Sequence, residues 1–463
     1  TTRGVRAQGS GFPNDQILEI SSSLSEYKGT SSHGVNKRAS FFANASYNYD
    51  TRYYFSATWR KDGSSGFGKN QKWDSFWALG SSWNIHNESF FESNWLNVLK
   101  LKASFGVTGN SRMSSTVNPD GLYSYHKNYA GHLGAVMTNI WNPETKWQKD
   151  YQTNIGVRLR MFDRLDFEVE WYNRSTRDLL GNATISMTSG DRSILKNMGR
   201  MRNTGIEFTI SSNNITTEQF SWDTDLNFSH NSNKITKLSP DDNGKTRGDF
   251  IMEEGKSMNA YYLIRWAGVD PLTGGPLWYD ANGKITGEHS YDNRVILNKY
   301  SNPDLYGGLN NTFRYRDFSL NIMMNFEIGG YAMNSLAFSM ERDGTDFLKR
   351  NQSVDLLERW QKPGDIATIP RLEWNNTNNS LMKSTRYLYK RTHLNLRNIA
   401  FSYQVPKLLI SKIGVQAASI SIIGNNLAVW TPYDKKNRNS YKQVLSGGFP
   451  VDRTFSLELS LTL

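Results

Sequence analysis

Residues 305–329 read LYGGLNNTFRYRDFSLNIMMNFEIG. In the second half, Phe318, Leu320, Ile322, Met324, Phe326 and Ile328 alternate with Ser319, Asn321, Met323, Asn325 and Glu327. A period of two sends successive side chains to opposite faces of a strand. With Arg316-Asp317 as a two-residue turn, Leu309, Phe313 and Tyr315 come to the same side as Phe318. The pattern predicts a β-hairpin with one apolar and one polar face, and most of the chain repeats it.

Two architectures present such a face. In a soluble sandwich it packs a core, and strands run about 5–6 residues. In an outer-membrane barrel it meets lipid, and a strand needs roughly 9–11 residues to cross. Here the alternation persists for eleven residues in several places, with tight turns at one end and very long connections at the other. That asymmetry predicts a transmembrane antiparallel barrel with short periplasmic turns and long extracellular loops.

Composition agrees. No run of 18 apolar residues exists, which excludes membrane-spanning helices. A mean hydropathy of −0.61 is compatible with a barrel, because half of each strand faces water. Cysteine is absent, so disulfide and thiol chemistry are out. The net charge of +11 forms no basic stripe, which argues against nucleic acid and for strand ends near anionic lipid. Tryptophans at 59, 73, 83, 95, 147, 171, 222 and 430 fall near strand ends, as an interfacial girdle would place them; sheet propensity of aromatics is the plainer explanation.

In order, residues 1–34 lack periodicity and read as an extracellular loop; 35–463 read as the barrel portion. Strands are expected near 37–49, 53–60, 73–86 and 99–107. A fifth carries Ile155, Val157, Leu159 and Met161 outward with Arg158 and Arg160 inward; a sixth carries Leu165, Phe167, Val169 and Trp171 outward with Asp166, Glu168 and Glu170 inward. A turn at Phe162-Asp163-Arg164 sets Arg160 opposite Asp166 and Arg158 opposite Glu168. Such pairs contribute roughly 0.2–1 kcal/mol each and fix register. Strand eight brings Asp223 and Asp225 inward. Strands nine and ten are the opening hairpin, with Glu327 inward. The eleventh, in 393–406, changes phase between Leu396 and Ile399, which predicts a bulge. The thirteenth ends the chain with Phe455, Leu457, Leu459 and Leu461 toward lipid and Glu458 inward. Excursions at 110–146, 231–304 and 331–392 are long enough to be functional. Their aromatics Tyr123, Tyr125, Tyr129, Trp141, Trp278 and Tyr279 are candidate substrate or lid contacts, with loop packing as the plainer role.

Other motifs fall away. GSSGFGK (63–69) resembles a phosphate loop, but Asn70 replaces the magnesium-binding hydroxyl and a strand follows where a helix is required. The seven histidines are scattered, and Asp270-Pro271 reads as a turn with calcium as the lesser alternative. No catalytic constellation emerges, so no enzyme and no cofactor are expected.

Several stretches resemble the SusC-like class of TonB-dependent outer-membrane transporters: ATWRKDGSSGFG (57–68), LKLKASFGVTGN (99–110), AGVDPLTGGPLWYD (267–280), HLNLRNIAFSYQVP (393–406), IIGNNLAVWTPY (422–433) and FPVDRTFSLELSLTL (449–463). The resemblance implies a 22-stranded barrel in the outer membrane of a Gram-negative bacterium. It also implies an N-terminal plug, a TonB-contacting segment and a SusD-like lipoprotein acting as a lid. Thirteen strands leave nine to be supplied, so the chain is expected to be the C-terminal part of such a barrel. The plug and first strands would come from a separate chain or cleaved fragment, through which TonB acts. Two departures stand out: no plug or TonB box is found, and Leu463 replaces the usual terminal aromatic. The expected function is import of a glycan or peptide nutrient; the alternative is a barrel scaffold that does not transport.

Overall fold

The computed structural model describes residues 2–8, 28–34, 36–110, 122–129, 132–186, 188, 193–345, 349, 351–410, 414–432 and 451–462. Its main element is a thirteen-stranded antiparallel meander: β1 (Arg38–Tyr49), β2 (Tyr53–Ser64), β3 (Trp73–Asn84), β4 (Leu96–Asn110), β5 (Gln148–Met161), β6 (Leu165–Arg177), β7 (Gly199–Thr216), β8 (Phe220–Leu238), β9 (Leu305–Tyr315), β10 (Phe318–Ile328), β11 (His393–Gln404), β12 (Ala417–Trp430) and β13 (Thr454–Thr462). Each strand pairs with its neighbours in sequence, so β1 and β13 are the two edges. Strand lengths run from 9 residues in β13 to 19 in β8, enough to cross a bilayer. Among the described residues, no helix is long and apolar enough to cross a membrane.

The predicted register holds. Tyr315 pairs with Phe318, Phe313 with Leu320 and Leu309 with Met324, around Arg316 at φ 51°. The three-residue turns at Asp50–Arg52 and Phe162–Arg164 place two residues each in the left-handed region: Asp50 and Thr51, Phe162 and Asp163. Asp166 lies opposite Arg160 and Glu168 opposite Arg158. The phase change in β11 is a register shift between Leu396 and Asn398.

On the outward face, aromatic rings stack from strand to strand: Phe208 on Phe228 at 4.6 Å, Trp222 on Phe313 at 5.6 Å, Phe318 on Tyr403 at 4.8 Å. Phe455, Leu457, Leu459 and Leu461 on β13 and Phe318 on β10 are exposed, whereas Leu320, Ile322, Met324 and Phe326 are half-buried by their strand neighbours. An apolar face this wide marks contact with something other than water.

Four expectations change. The segment 1–34, read as loop, contains an antiparallel pair, Thr2–Gln8 with Lys28–Gly34, outside the main sheet. Strand β8 continues to Leu238, so the second excursion begins later than 231. Its upper residues, HNSNKITKL, are mostly polar, and the two apolar ones, Ile235 and Leu238, are buried but three positions apart, so alternation is lost there. Within 110–146, Leu122–Tyr129 pairs with His132–Asn139. Trp147 is not a girdle residue: it is buried against Phe67 (4.2 Å) and Phe76 (5.4 Å). The glycine-rich loop at 63–69 thus serves packing. Gly68 donates its N–H to Thr145 O and lies so close to Pro143 O that a side chain would collide with it.

The second and third excursions build one domain. Strand Ala260–Val269 pairs with Phe250–Met252, Pro276–Tyr279 and Arg294–Tyr300, and Ile264 bridges to Ser384 of the third excursion. Trp266 N–H donates to Thr385 Oγ1, Trp360 Nε1 to Pro271 O, and Lys383 Nζ pairs with Asp249 at 2.9 Å. Tyr261, Leu263 and Leu297 form its core, with Tyr331, Met333 and Leu388 packed on them.

Candidate functional site: the inward wall and the loop domain

The inward face is built by the even positions of β6 and their ladder partners. Arg158, Arg160, Asp166, Glu168 and Glu170 share it through β5–β6 pairing. Asp223 and Asp225 share it through β8, opposite Asn213 and Ser211. Glu327 sits opposite Tyr306, and Glu458 opposite Ser421. Charges are paired diagonally rather than straight across. Asp166 takes a two-point contact from Arg158 (3.0 and 2.6 Å), while Glu168 pairs with Lys102 of β4 at 2.6 Å. Asp223 receives Arg314 at 2.6 Å and Asn213 Nδ2 at 2.7 Å, and Glu327 pairs with Arg391 at 2.8 Å. Asp225 accepts from Ser211 Oγ, and Asp150 holds Arg174 and Thr176. A wall of matched ions and amides can hold water and polar solutes.

Glu170 departs from this scheme. It stands opposite Glu207 of β7, and neither forms an ion pair among the described residues. Around them a cavity of about 420 Å³ opens, bounded by Gln152, Tyr172, Arg174, Asn203, Asn231 and Tyr306. Tyr172 reaches across Gly205, its ladder partner, to donate its hydroxyl to Asn231 Oδ1 at 2.8 Å. A methyl group on Gly205 would come within 2.5 Å of the Tyr172 ring, so glycine is required for that crossing. The alternating pattern of strand seven could have flagged Glu207 as inward; the Tyr172–Gly205 crossing leaves no local trace.

The loop aromatics divide. Tyr123, Tyr125 and Tyr129 lie on the strand Leu122–Tyr129, with side chains outside the described residues. Trp141 is exposed in the connection to β5. Tyr279 is half-buried under the Arg265 guanidinium, 5.4 Å from its ring centre. Trp278, expected as a contact residue, is wholly buried and packs edge-on between Trp266 (5.8 Å) and His289 (5.4 Å). It is core, because β-pairing of Pro276–Tyr279 turns it into the loop domain. Burial there also holds His289 below the usual histidine range. Asp270 accepts from Thr273 Oγ1 (2.6 Å) and Leu272 N–H (3.0 Å), contacts that lower its pKa and spend its oxygens on a turn rather than on a cation.

The outward face carries one feature that alternation hides. Between β7, β8 and β9, Asn311 Oδ1 accepts from Trp222 Nε1 (2.9 Å) and Thr224 Oγ1 (2.7 Å). Asn214 Nδ2 donates to Thr224 Oγ1, and Ser212 Oγ to Asn214 Oδ1. Asn214 occupies a register shift between Asn213 and Ile215. These polar groups satisfy one another on the face that otherwise meets lipid.

Comparison with known proteins places the chain. Residues 4–341 match the family model for the TonB dependent receptor-like β-barrel. TonB-dependent receptor P3 of Formosa agariphila is 30% identical over 91% of this chain and 45% of its own length. TonB-dependent receptor SusC of Bacteroides thetaiotaomicron is 28% identical over 64% of the chain and 32% of its own. The RagAB peptide importer in its open-open state superposes with a TM-score of 0.86 at 26% identity, over 100% of this chain and 51% of that one. The chain thus spans about half the length of the relatives it matches most fully. Receptors of this family are proteins of the Gram-negative outer membrane and are not enzymes. This chain belongs to the TonB-dependent receptors, as a part of their β-barrel.

Proposed function

We propose that the chain forms the C-terminal wall and loop domain of an active importer for a glycan or peptide nutrient. It works with a SusD-like surface lipoprotein, and TonB acts on it through a plug-bearing N-terminal portion. The observation that carries this reading is the thirteen-strand meander whose two edges, β1 and β13, are not paired to each other. The superposition over the whole chain onto half of a chain of the RagAB peptide importer supports it. The loop domain stands at the long-connection end, where a surface lipoprotein would meet it, and the ion-paired inward wall suits passage of a polar solute.

The test is purification of the chain from its native outer membrane with identification of every partner, followed by uptake by cells with and without TonB. A plug-bearing partner and a lipoprotein in the complex, with TonB-dependent uptake, are the expected result. A barrel that forms without a plug and supports no uptake would turn the assignment to a scaffold.

A further inference from the structure

We propose that the outward face of β5–β8, at the strand ends away from the tight turns, binds the phosphate of a sugar-bearing lipid in the outer leaflet. The cations are scattered in sequence, but the ladder gathers them. On one rung Ser175 stands between Tyr151 and Arg202, and Arg202 stands opposite Lys234. On the next, Arg177 faces both Lys149 and Arg200, and Arg200 faces Lys237. The register shift between Arg200 and Met201 brings Lys237 rather than Thr236 to that place, so the irregularity adds a cation to the row. All of these lie on the face of Ile155, Trp171 and Ile206, and the Arg177 guanidinium sits over the Tyr151 ring at 4.3 Å.

Like charges directly opposite one another on a sheet repel. Lys149 is relieved by Asp74 at 2.8 Å. Arg177, Arg200, Arg202, Lys234 and Lys237 are exposed and form no ion pair among the described residues. Glu254, beyond the end of β8, accepts from Leu238 N–H at 2.7 Å and forms no ion pair with Lys237. A repulsive patch without a counter-charge from the chain calls for an anion from outside it.

Height along the strands says which anion. From Trp222, beside the tight turn, to Lys234 is twelve residues of β8. At about 3.3 Å per residue and a tilt of about 40°, that is roughly 30 Å along the membrane normal, the thickness of the hydrocarbon layer. With Trp222 at the inner boundary, the cations stand among the outer headgroups. Between them and the apolar row of Ile155, Trp171 and Ile206 runs a rung of Thr153, Asn173, Thr204 and Ser232, which offers hydroxyls and amides to a sugar. Residues facing each other across a ladder have Cβ atoms about 5 Å apart, so Arg202 and Lys234 reach one phosphate together. The site concerns the surrounding lipid and does not depend on transport.

The experiment is native mass spectrometry of the complete plug-bearing receptor in detergent. It is titrated with diphosphoryl lipid A, with the same lipid stripped of phosphate, and with phosphatidylglycerol. Diphosphoryl lipid A should bind at least tenfold more tightly than either of the others, and its advantage should shrink as salt rises. The double variant Arg202→Gln/Lys234→Gln should remove that advantage, with gel mobility of unheated samples confirming that it folds. Lys61→Gln should not; this residue is an exposed cation on β2, opposite Phe41 and Ser75 and away from the patch. Equal binding of the stripped lipid, equal binding of phosphatidylglycerol, or an advantage that survives the double variant or is lost equally with Lys61→Gln would each overturn the proposal. So would an advantage in the unmodified receptor that salt does not change, an outcome that needs no variant to fold.

Discussion

Asp343 and Arg386 form a two-point ion pair (2.9 and 3.3 Å) in which the carboxylate side chain is fully buried and the guanidinium is 5% exposed. The pair joins the two ends of the third excursion. The Arg386 guanidinium also lies over Trp266 of the second excursion, 5.3 Å from its ring centre. Removing one partner of a buried pair strands the other charge, at about 3–5 kcal/mol. Asp343→Ala should therefore loosen the loop domain while the barrel strands stay intact. Hydrogen exchange should rise across 260–269 and 380–390 and remain unchanged in β5–β8. Uniform exchange behaviour in both regions would contradict the domain's independence.

Gly205 makes a different demand. A side chain there meets the Tyr172 ring and His230 O at 2.4–2.5 Å. Overpacking of this kind costs about 1–3 kcal/mol. Gly205→Val should slow or weaken folding into lipid vesicles, read by gel mobility of unheated samples. Tyr172→Phe, which loses only the bond to Asn231, should have the smaller effect.

The hairpin register, the three tight turns and the β11 bulge were legible because each follows from alternation or turn length. A strand that must keep one face apolar has only one workable register. Diagonal ion pairing was not legible: Lys102 of β4 reaches across β5, where its ladder partner is Gly156, to Glu168 of β6, and strand alternation gives a residue's face but not its charge partner. The union of the two excursions was hidden for a similar reason, since Ile264 and Ser384 are 120 residues apart in the chain and nothing local joins them. Trp278 looked like a contact residue because a loop aromatic carries no sign of whether it faces in or out.

Ile322 is near the middle of β10 on the outward face, and Asn321 beside it faces inward opposite Thr312. If lipid lies against the outward face, Ile322→Lys should cost about 2–4 kcal/mol near mid-membrane. Leu459→Lys on β13 should behave similarly, whereas Asn321→Lys should be tolerated. Folding titrations in lipid vesicles measure all three, and equal tolerance would argue that oil is not the neighbour.

The outward network around Asn311 gives a paired test. Asn311→Leu takes the acceptor from both Trp222 Nε1 and Thr224 Oγ1 and leaves them facing lipid. An unsatisfied buried polar group costs about 1–3 kcal/mol. Adding Trp222→Phe removes one stranded donor and leaves the Asn214–Thr224 bond in place, so the double variant should recover part of the loss. Additive losses in the double-mutant cycle would show that the network is not a unit.

His289 supplies a pH dependence. Its ring is set between Trp278 and Tyr291 (5.4 and 5.3 Å), and its Nε2 is buried without a hydrogen-bond partner. Burial lowers its pKa because the imidazolium loses hydration. In the unfolded chain the ring takes a proton near pH 6.5. The unfolded state therefore binds more protons below that value, and the loop domain loses stability as pH falls from 6.5 toward the lower folded pKa. Above 6.5 both states are neutral and the contribution is constant. His289→Phe keeps an aromatic edge between the two rings and removes the proton site. Urea melts of the loop domain at pH 7.5 and 5.5 should differ more for the unmodified receptor than for this variant. An equal shift in both would assign the acid sensitivity to other groups.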